Sequence, residues 1–82
     1  MLAQFVKERD EAFTDFVMTG STKKLKAYCQ KYNVPMPKDK NIMAAGVYKA
    51  VQHCTGISDE VKNTAVMKCL DLGFSPFSRM GD

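Results

Sequence analysis

Residues 41–54 read Asn-Ile-Met-Ala-Ala-Gly-Val-Tyr-Lys-Ala-Val-Gln-His-Cys and are apolar almost all the way round a helix. Only Lys49, Gln52 and His53 form a narrow polar strip, whereas apolar side chains cover most of the circumference. A helix with so little polar surface must be surrounded by other elements. We therefore expect this segment to be the central helix of a small bundle.

The remaining chain contains three further segments with the apolar period of a helix. Apolar residues recur at spacings of three and four over residues 2–19, 22–32 and 59–72. No segment alternates with the period of two that is typical of a strand. The predicted fold is therefore all-α, a compact bundle of about four short helices around the central helix at 40–54.

Glycines, prolines and short polar residues mark the expected helix ends. The stop signals are Gly20, Gly56, Gly73, Pro35 and Pro37, and the candidate N-caps are Ser21 or Thr22, Asp39 or Asn41, and Ser58. We expect Gly56 to lie just past the central helix, so that Ile57 folds back onto Val51. Phe74 should likewise cover Cys69 or Leu70 after Gly73.

The chain of 82 residues predicts one domain with a short C-terminal tail at 74–82. This tail has two interpretations. Phe74 and Phe77 can close one end of the bundle, or Phe77 and Met80 can form a docking tail for a partner. No apolar run is long enough for a membrane span, and the first residues lack a secretory signal pattern, so we expect a cytoplasmic protein.

The three cysteines indicate a reducing compartment rather than a disulfide framework, because their number is odd and they form no close pair. Cys29, Cys54 and Cys69 all fall on apolar stripes and are interpreted as small buried side chains. Together with His53 they could supply zinc ligands, but a Cys-x-x-Cys spacing is missing. We expect no metal and no cofactor.

Positive charge is concentrated in residues 21–40, which contain six lysines and one acidic residue. Residues 1–20 have the opposite balance, so the molecule should be dipolar. The predicted partner- or anion-binding residues are Ser21, Thr22, Lys23, Lys24, Lys26, Lys38 and Lys40, because a helix start with hydroxyl groups and lysines suits phosphate or carboxylate groups. The alternative is that these lysines form only a solvated helix face.

Nucleic-acid binding through the same lysines is a second functional hypothesis. The segment contains no arginine, the residue that contacts guanine edges and phosphate in a bidentate manner, so any such contact would be dominated by the backbone. A helix-turn-helix is disfavoured because the break at 33–40 is long and the helix after it is mostly apolar.

The sequence contains no recognisable catalytic motif and a single histidine. The acidic residues Asp10, Glu11 and Asp15 lie on the predicted solvent face of the first helix. We therefore expect no enzymatic activity and infer no small-molecule substrate.

Three stretches carry a resemblance to a group of known proteins. They are Leu-Lys-Ala-Tyr-Cys-Gln-Lys-Tyr-Asn-Val-Pro-Met-Pro-Lys-Asp at 25–39, Ala-Gly-Val-Tyr-Lys-Ala at 45–50 and Ile-Ser-Asp-Glu-Val-Lys at 57–62. This pattern resembles small uncharacterised helical proteins carried by prophages and mobile elements of Gram-positive bacteria. The resemblance implies a cytoplasmic accessory protein that binds a host macromolecule. The expected partner is an acidic surface of a host protein rather than nucleic acid.

Overall fold

A computed structural model describes residues 2–75 as four helices. They are α1 (Leu2–Thr19), α2 (Lys23–Lys31), α3 (Lys40–Val51) and α4 (Asp59–Asp71). No strand occurs between residues 2 and 75, so the predicted all-α bundle is confirmed. Phe77 and Met80, the proposed docking residues of the tail, lie outside the described residues. None of the helices in the described part is long and apolar enough to cross a membrane.

The four helices form two closely packed pairs that are joined through α1. Helix α1 packs against α2, and α3 packs against α4. Helix α1 also contacts both α3 and α4, whereas the backbones of α2 and α3 do not approach each other closely. Residues 34–37, Val-Pro-Met-Pro, connect α2 to the start of α3 and are called the proline strap below.

The core lies around α3, as the sequence predicts. Seven of the twelve residues of α3 are buried. The most completely buried large side chains of the core are Val17, Leu25, Val51 and Cys69, one from each helix. Ile57 is buried in the same cluster as Val51, as expected for the turn that follows α3.

The prediction that Lys49 belongs to the polar strip of α3 is wrong, because this residue is buried. This side chain is only 7% exposed, and its Nζ lies 5.8 Å from the centroid of the Phe74 ring. A lysine can be buried in this way because its long aliphatic stem packs like an apolar residue while the ammonium faces an aromatic ring. Gln52 is half-buried and donates to the Lys62 carbonyl at 3.0 Å, and His53 is exposed.

Two residues of the predicted apolar rows are exposed instead. Ile42 is 53% exposed and Leu70 is 55% exposed. Leu70 follows Cys69, which is fully buried, and successive residues of a helix point about 100° apart. Because α4 buries only the narrow row of Val61, Ala65 and Cys69, Leu70 falls outside the contact with the other helices.

The end of α3 differs from the prediction in two respects. The helix ends at Val51 rather than at Cys54, and the next residues form tighter turns with bonds to the third residue back, such as His53 N–H to the Ala50 carbonyl at 3.0 Å. Gly56 does not have the left-handed conformation expected of a helix cap. The Asp10 carboxylate lies close to Gly56, so a Cβ atom at this position would require the Asp10 side chain to move.

Helices α2 and α4 are each followed by a residue with left-handed backbone conformation. Asn33 has φ 55° after α2, and the Val34 N–H donates to the Cys29 carbonyl at 2.9 Å. This bond is typical of the Schellman motif, so α2 ends before the prolines rather than because of them. Gly73 has φ 85° after α4, and the Phe74 N–H donates to the Cys69 carbonyl at 3.1 Å, which confirms the predicted end of α4.

Lys68 connects α4 to the end of α1 through a single hydrogen bond. Its ammonium donates to the backbone carbonyl of Val17. Val17 is in the last turn of α1, where carbonyl groups lack a partner within the helix. The lysine therefore satisfies a buried acceptor and brings positive charge to the negative end of the α1 dipole.

We predict that Lys68→Met destabilises the protein by about 1–2 kcal/mol, because the apolar stem is kept while the charged donor to the Val17 carbonyl is lost. Urea unfolding monitored by circular dichroism measures this difference. Lys7→Met, on the exposed side of α1, is the matched control and should change the free energy of unfolding by less than about 0.5 kcal/mol. Equal effects of the two substitutions would contradict the assignment.

Candidate functional site

The fold divides the lysines of residues 21–40 among different surfaces. Lys26, Lys38 and Lys40 line one groove, which is called the basic groove below. Lys24 lines two shallow clefts beside the acidic residues of α1. Lys23 is exposed at the start of α2 and does not line the groove.

The basic groove lies where the start of α2 and the start of α3 meet the end of α1. Its volume is about 710 Å³, within the usual range for ligand-binding clefts. Its polar lining consists of Lys26, Lys38, Lys40, Thr22 and Asn41, and its apolar lining includes Phe16, Met36, Met43, Tyr48 and Leu72. None of the described lining residues is acidic. The groove thus combines a positive rim with an apolar floor.

The three lysines of the groove are not neutralised by ion pairs. The ion pairs found within residues 2–75 are Arg9 with Asp10 and Lys31 with Glu8. Lys26, Lys38 and Lys40 are exposed and belong to neither pair. Their positive charge therefore remains available to a negatively charged partner.

Asp39 lies between two of these lysines in the chain and has a structural task. Its Oδ1 accepts hydrogen bonds from the N–H groups of Asn41 at 2.9 Å and Ile42 at 3.0 Å. This is the N-cap arrangement expected for α3, in which a carboxylate satisfies the first N–H groups of the helix. The carboxylate is thereby held at the helix end, between Lys38 and Lys40 in sequence.

The start of α2 is capped less completely than the start of α3. Thr22 occupies the N-cap position, but its side chain makes no capping hydrogen bond. Ser21 accepts from the Lys23 N–H at 3.3 Å, and both Ser21 and Lys23 are exposed. The positive end of the α2 dipole consequently adds to the field of the lysines at the groove.

Lys31 is removed from the binding surface by an ion pair with α1. Its Nζ lies 2.7 Å from Glu8 Oε1. The hydrogen bond from Lys31, with a further contribution from Tyr32, lowers the pKa of Glu8 from its ordinary value to about 2. The same hydrogen bond raises the pKa of Lys31. This pair fixes α2 against α1 and cancels part of the predicted charge asymmetry.

A second depression, the apolar cavity, adjoins the proline strap. It has a volume of about 150 Å³ and is lined by apolar residues of α1, α2, the strap and α3, among them Phe13, Leu25, Cys29, Val34, Met43 and Val47. Met36, Pro37 and Met43 line both this cavity and the basic groove. Apolar periodicity predicts that Cys29 faces the core, but it does not show that the side chains around Cys29 leave a depression.

The aromatic residues of the groove pack into the protein. The rings of Phe16 and Tyr48 stack on each other with centroids 5.8 Å apart and an angle of 28° between their planes. Both residues are buried. Tyr28 is also buried and contacts the rings of Phe5, Phe13 and Tyr32. None of these three buried rings therefore offers an open face to a nucleic-acid base.

The cysteines have the environment of core residues. Cys54 and Cys69 are buried and Cys29 is half-buried. Burial raises the pKa of all three thiols, which makes the reactive thiolate form less abundant. Within the described residues no three of the His, Cys, Asp or Glu side chains form a group that could hold a metal ion.

Comparisons with known proteins yield no relative from which a function could be transferred. No protein-family model, no curated protein and no solved structure matches the chain. The candidate site is therefore defined by its geometry and charge.

We predict that the ionisation of Glu8 makes the stability of the protein depend on pH. A carboxylate whose pKa is lowered on folding stabilises the folded state above its unfolded pKa, and this contribution disappears as the pH falls towards the folded pKa. The difference in unfolding free energy between the wild type and Glu8→Gln should therefore be constant above about pH 5.5 and shrink progressively below that, down to about pH 2.

Urea unfolding at several pH values measures this difference, and NMR titration of the Glu8 carboxyl carbon gives the pKa directly. Glu11→Gln, an exposed neighbour on α1, is the control and should show no such trend. A Glu8 midpoint near the ordinary value of 4.5 would show that the ion pair does not persist in solution.

Proposed function

We propose that this protein is a small non-catalytic binding module whose basic groove binds an acidic segment of another protein. The observation that carries the proposal is the convergence of Lys26, Lys38 and Lys40 on one groove whose described lining contains no acidic residue. In line with the resemblance of its sequence, we propose that it is an accessory protein of a phage or mobile element and that the partner is a protein of the bacterial host cytoplasm.

The apolar floor of the groove favours a protein partner over nucleic acid. Protein interfaces combine an apolar centre with a polar rim, and the groove has Met36, Met43 and Leu72 beneath its lysines. Arginine, which reads bases and grips phosphate, is absent from the described lining. Nucleic acid bound through backbone phosphates is the alternative that the experiment below distinguishes.

The chemistry of the remaining polar residues supports a role without catalysis. The thiols of the described cysteines have raised pKa values, which is the opposite of what a nucleophile needs. His53 is exposed in the turn after α3, outside the lining of the basic groove. We therefore assign binding, and no reaction, to the groove.

The proposal is tested by selecting ligands from a displayed library of random peptides and measuring their affinity for two matched variants. Lys26→Glu/Lys38→Glu reverses two groove lysines, and Lys7→Glu/Lys23→Glu reverses two exposed lysines outside the groove lining. Both variants change the net charge equally. We expect peptides rich in Asp and Glu, with binding weakened at least about tenfold by the groove variant and about twofold or less by the control.

Salt dependence and oligonucleotide binding separate the two candidate partners. Contacts to six or more phosphates would weaken binding by roughly a thousandfold between about 50 and 200 mM salt, whereas a peptide with an apolar centre should lose far less. Equal weakening by both charge variants would contradict the groove as the site. Strong salt-dependent binding of oligonucleotides with no peptide selected would replace the proposal by the nucleic-acid alternative.

A further inference from the structure

The apolar cavity behind the proline strap has the size of a single ring. Its volume of about 150 Å³ is comparable to that of an apolar protein cavity that binds benzene. No charged residue is among its described lining residues. The apolar lining therefore favours an occupant that is uncharged and apolar, because a charged group would gain no partner there.

The cavity and the basic groove adjoin each other at the strap. Met36 and Pro37 of the strap and Met43 of α3 line both depressions. The barrier between them is thus only the width of these side chains. A peptide that lies in the groove can extend one side chain across the strap into the cavity.

The backbone of the strap offers few N–H donors to a peptide. Pro35 and Pro37 have no N–H group, and the Val34 N–H already donates to the Cys29 carbonyl at 2.9 Å. Met36 is therefore the only strap residue whose N–H group could pair with a peptide as in a β-sheet. A peptide therefore cannot pair along this strap as it would along the edge of a sheet. Its recognition here has to come from a side chain that enters the cavity.

From these observations we infer that the apolar cavity binds one uncharged side chain, of the size of Phe, Leu or Met, from the same acidic segment that occupies the basic groove. This inference rests on the proposed function and specifies its partner as an acidic segment with one apolar anchor. The two depressions then have different roles. Side chains buried in pockets determine the lifetime of a complex, whereas rim charges mainly determine its rate of formation.

Alkylation of Cys29 in the wild-type protein tests the cavity without any peptide. Cys29 lines the cavity and is half-buried, whereas Cys54 and Cys69 are buried, so iodoacetamide should react first at Cys29. Toluene represents the side chain of Phe, and benzylammonium, a ring of similar size with a positive charge that the groove lysines repel, is its charged control. We expect saturating toluene to slow alkylation of Cys29 at least about fivefold, while benzylammonium does not, because an apolar cavity favours an uncharged ring.

Peptide kinetics test the connection between cavity and groove. In an acidic peptide that binds the groove, replacing its apolar anchor by Ser should raise the dissociation rate about 30-fold and leave the association rate nearly unchanged. Lys26→Glu/Lys38→Glu in the protein should mainly lower the association rate. The wild-type peptide should also protect Cys29 from alkylation, and the Ser peptide should not.

The possible failures are distinguishable. Acidic peptides that bind through the groove lysines without protecting Cys29 would overturn the inference and leave the proposed function standing. Protection by toluene without any binding of acidic peptides would contradict the proposed function. It would also contradict the claim that one acidic segment occupies both the groove and the cavity. Equal protection by toluene and benzylammonium, or no protection by either, would show that the cavity does not select apolar groups and would overturn the inference.

Discussion

The proline strap is the constraint on which the shape of this protein depends. Pro35 and Pro37 cannot enter a helix interior, and each disfavours helical geometry in the residue before it. The left-handed Asn33 ends α2, and the two prolines keep residues 34–37 from extending either helix. The backbones of α2 and α3 stay apart, while α1 packs against both. The basic groove and the apolar cavity both occupy the resulting space between α2 and α3.

The rest of the bundle compensates for this open side with polar contacts that close the other helix interfaces. Lys68 satisfies a carbonyl at the end of α1, and Gln52 donates to the Lys62 carbonyl from the end of α3. Glu8 and Lys31 fix α2 to α1. The contacts of Lys68 and Gln52 are partly buried, whereas the pair of Glu8 and Lys31 is exposed. Partly buried contacts matter in a short chain, because a small domain buries a smaller fraction of its surface than a large one.

The helices could be predicted from sequence because their signals are local. Apolar spacing, the cap at Asp39 and the left-handed Gly73 all act within a few residues of the chain, and the structure confirms them. The errors have a different origin. Helical period shows which residues share a face, but not which faces the neighbouring helices cover, so Lys49 was assigned to solvent and Leu70 to the core.

The candidate site was predictable only in part, for the same reason. Residues 21–40 were recognised as basic, but their division among surfaces depends on contacts between distant residues. The pair of Glu8 and Lys31 spans 23 positions of the chain and leaves no local signal. Gly56 is a similar case, since its close neighbour is the Asp10 carboxylate of another helix and its backbone does not have the conformation of a cap.

Asp39 explains why an acidic partner at the groove should bind lysine side chains rather than the start of α3. Its carboxylate already accepts from the first N–H groups of α3, at 2.9 and 3.0 Å, and an incoming carboxylate cannot use them without displacing it. Loss of an N-cap costs about 1 kcal/mol, so the native cap resists such exchange. A negatively charged partner is therefore directed to the ammonium groups of Lys26, Lys38 and Lys40, whose long side chains can follow it across the groove.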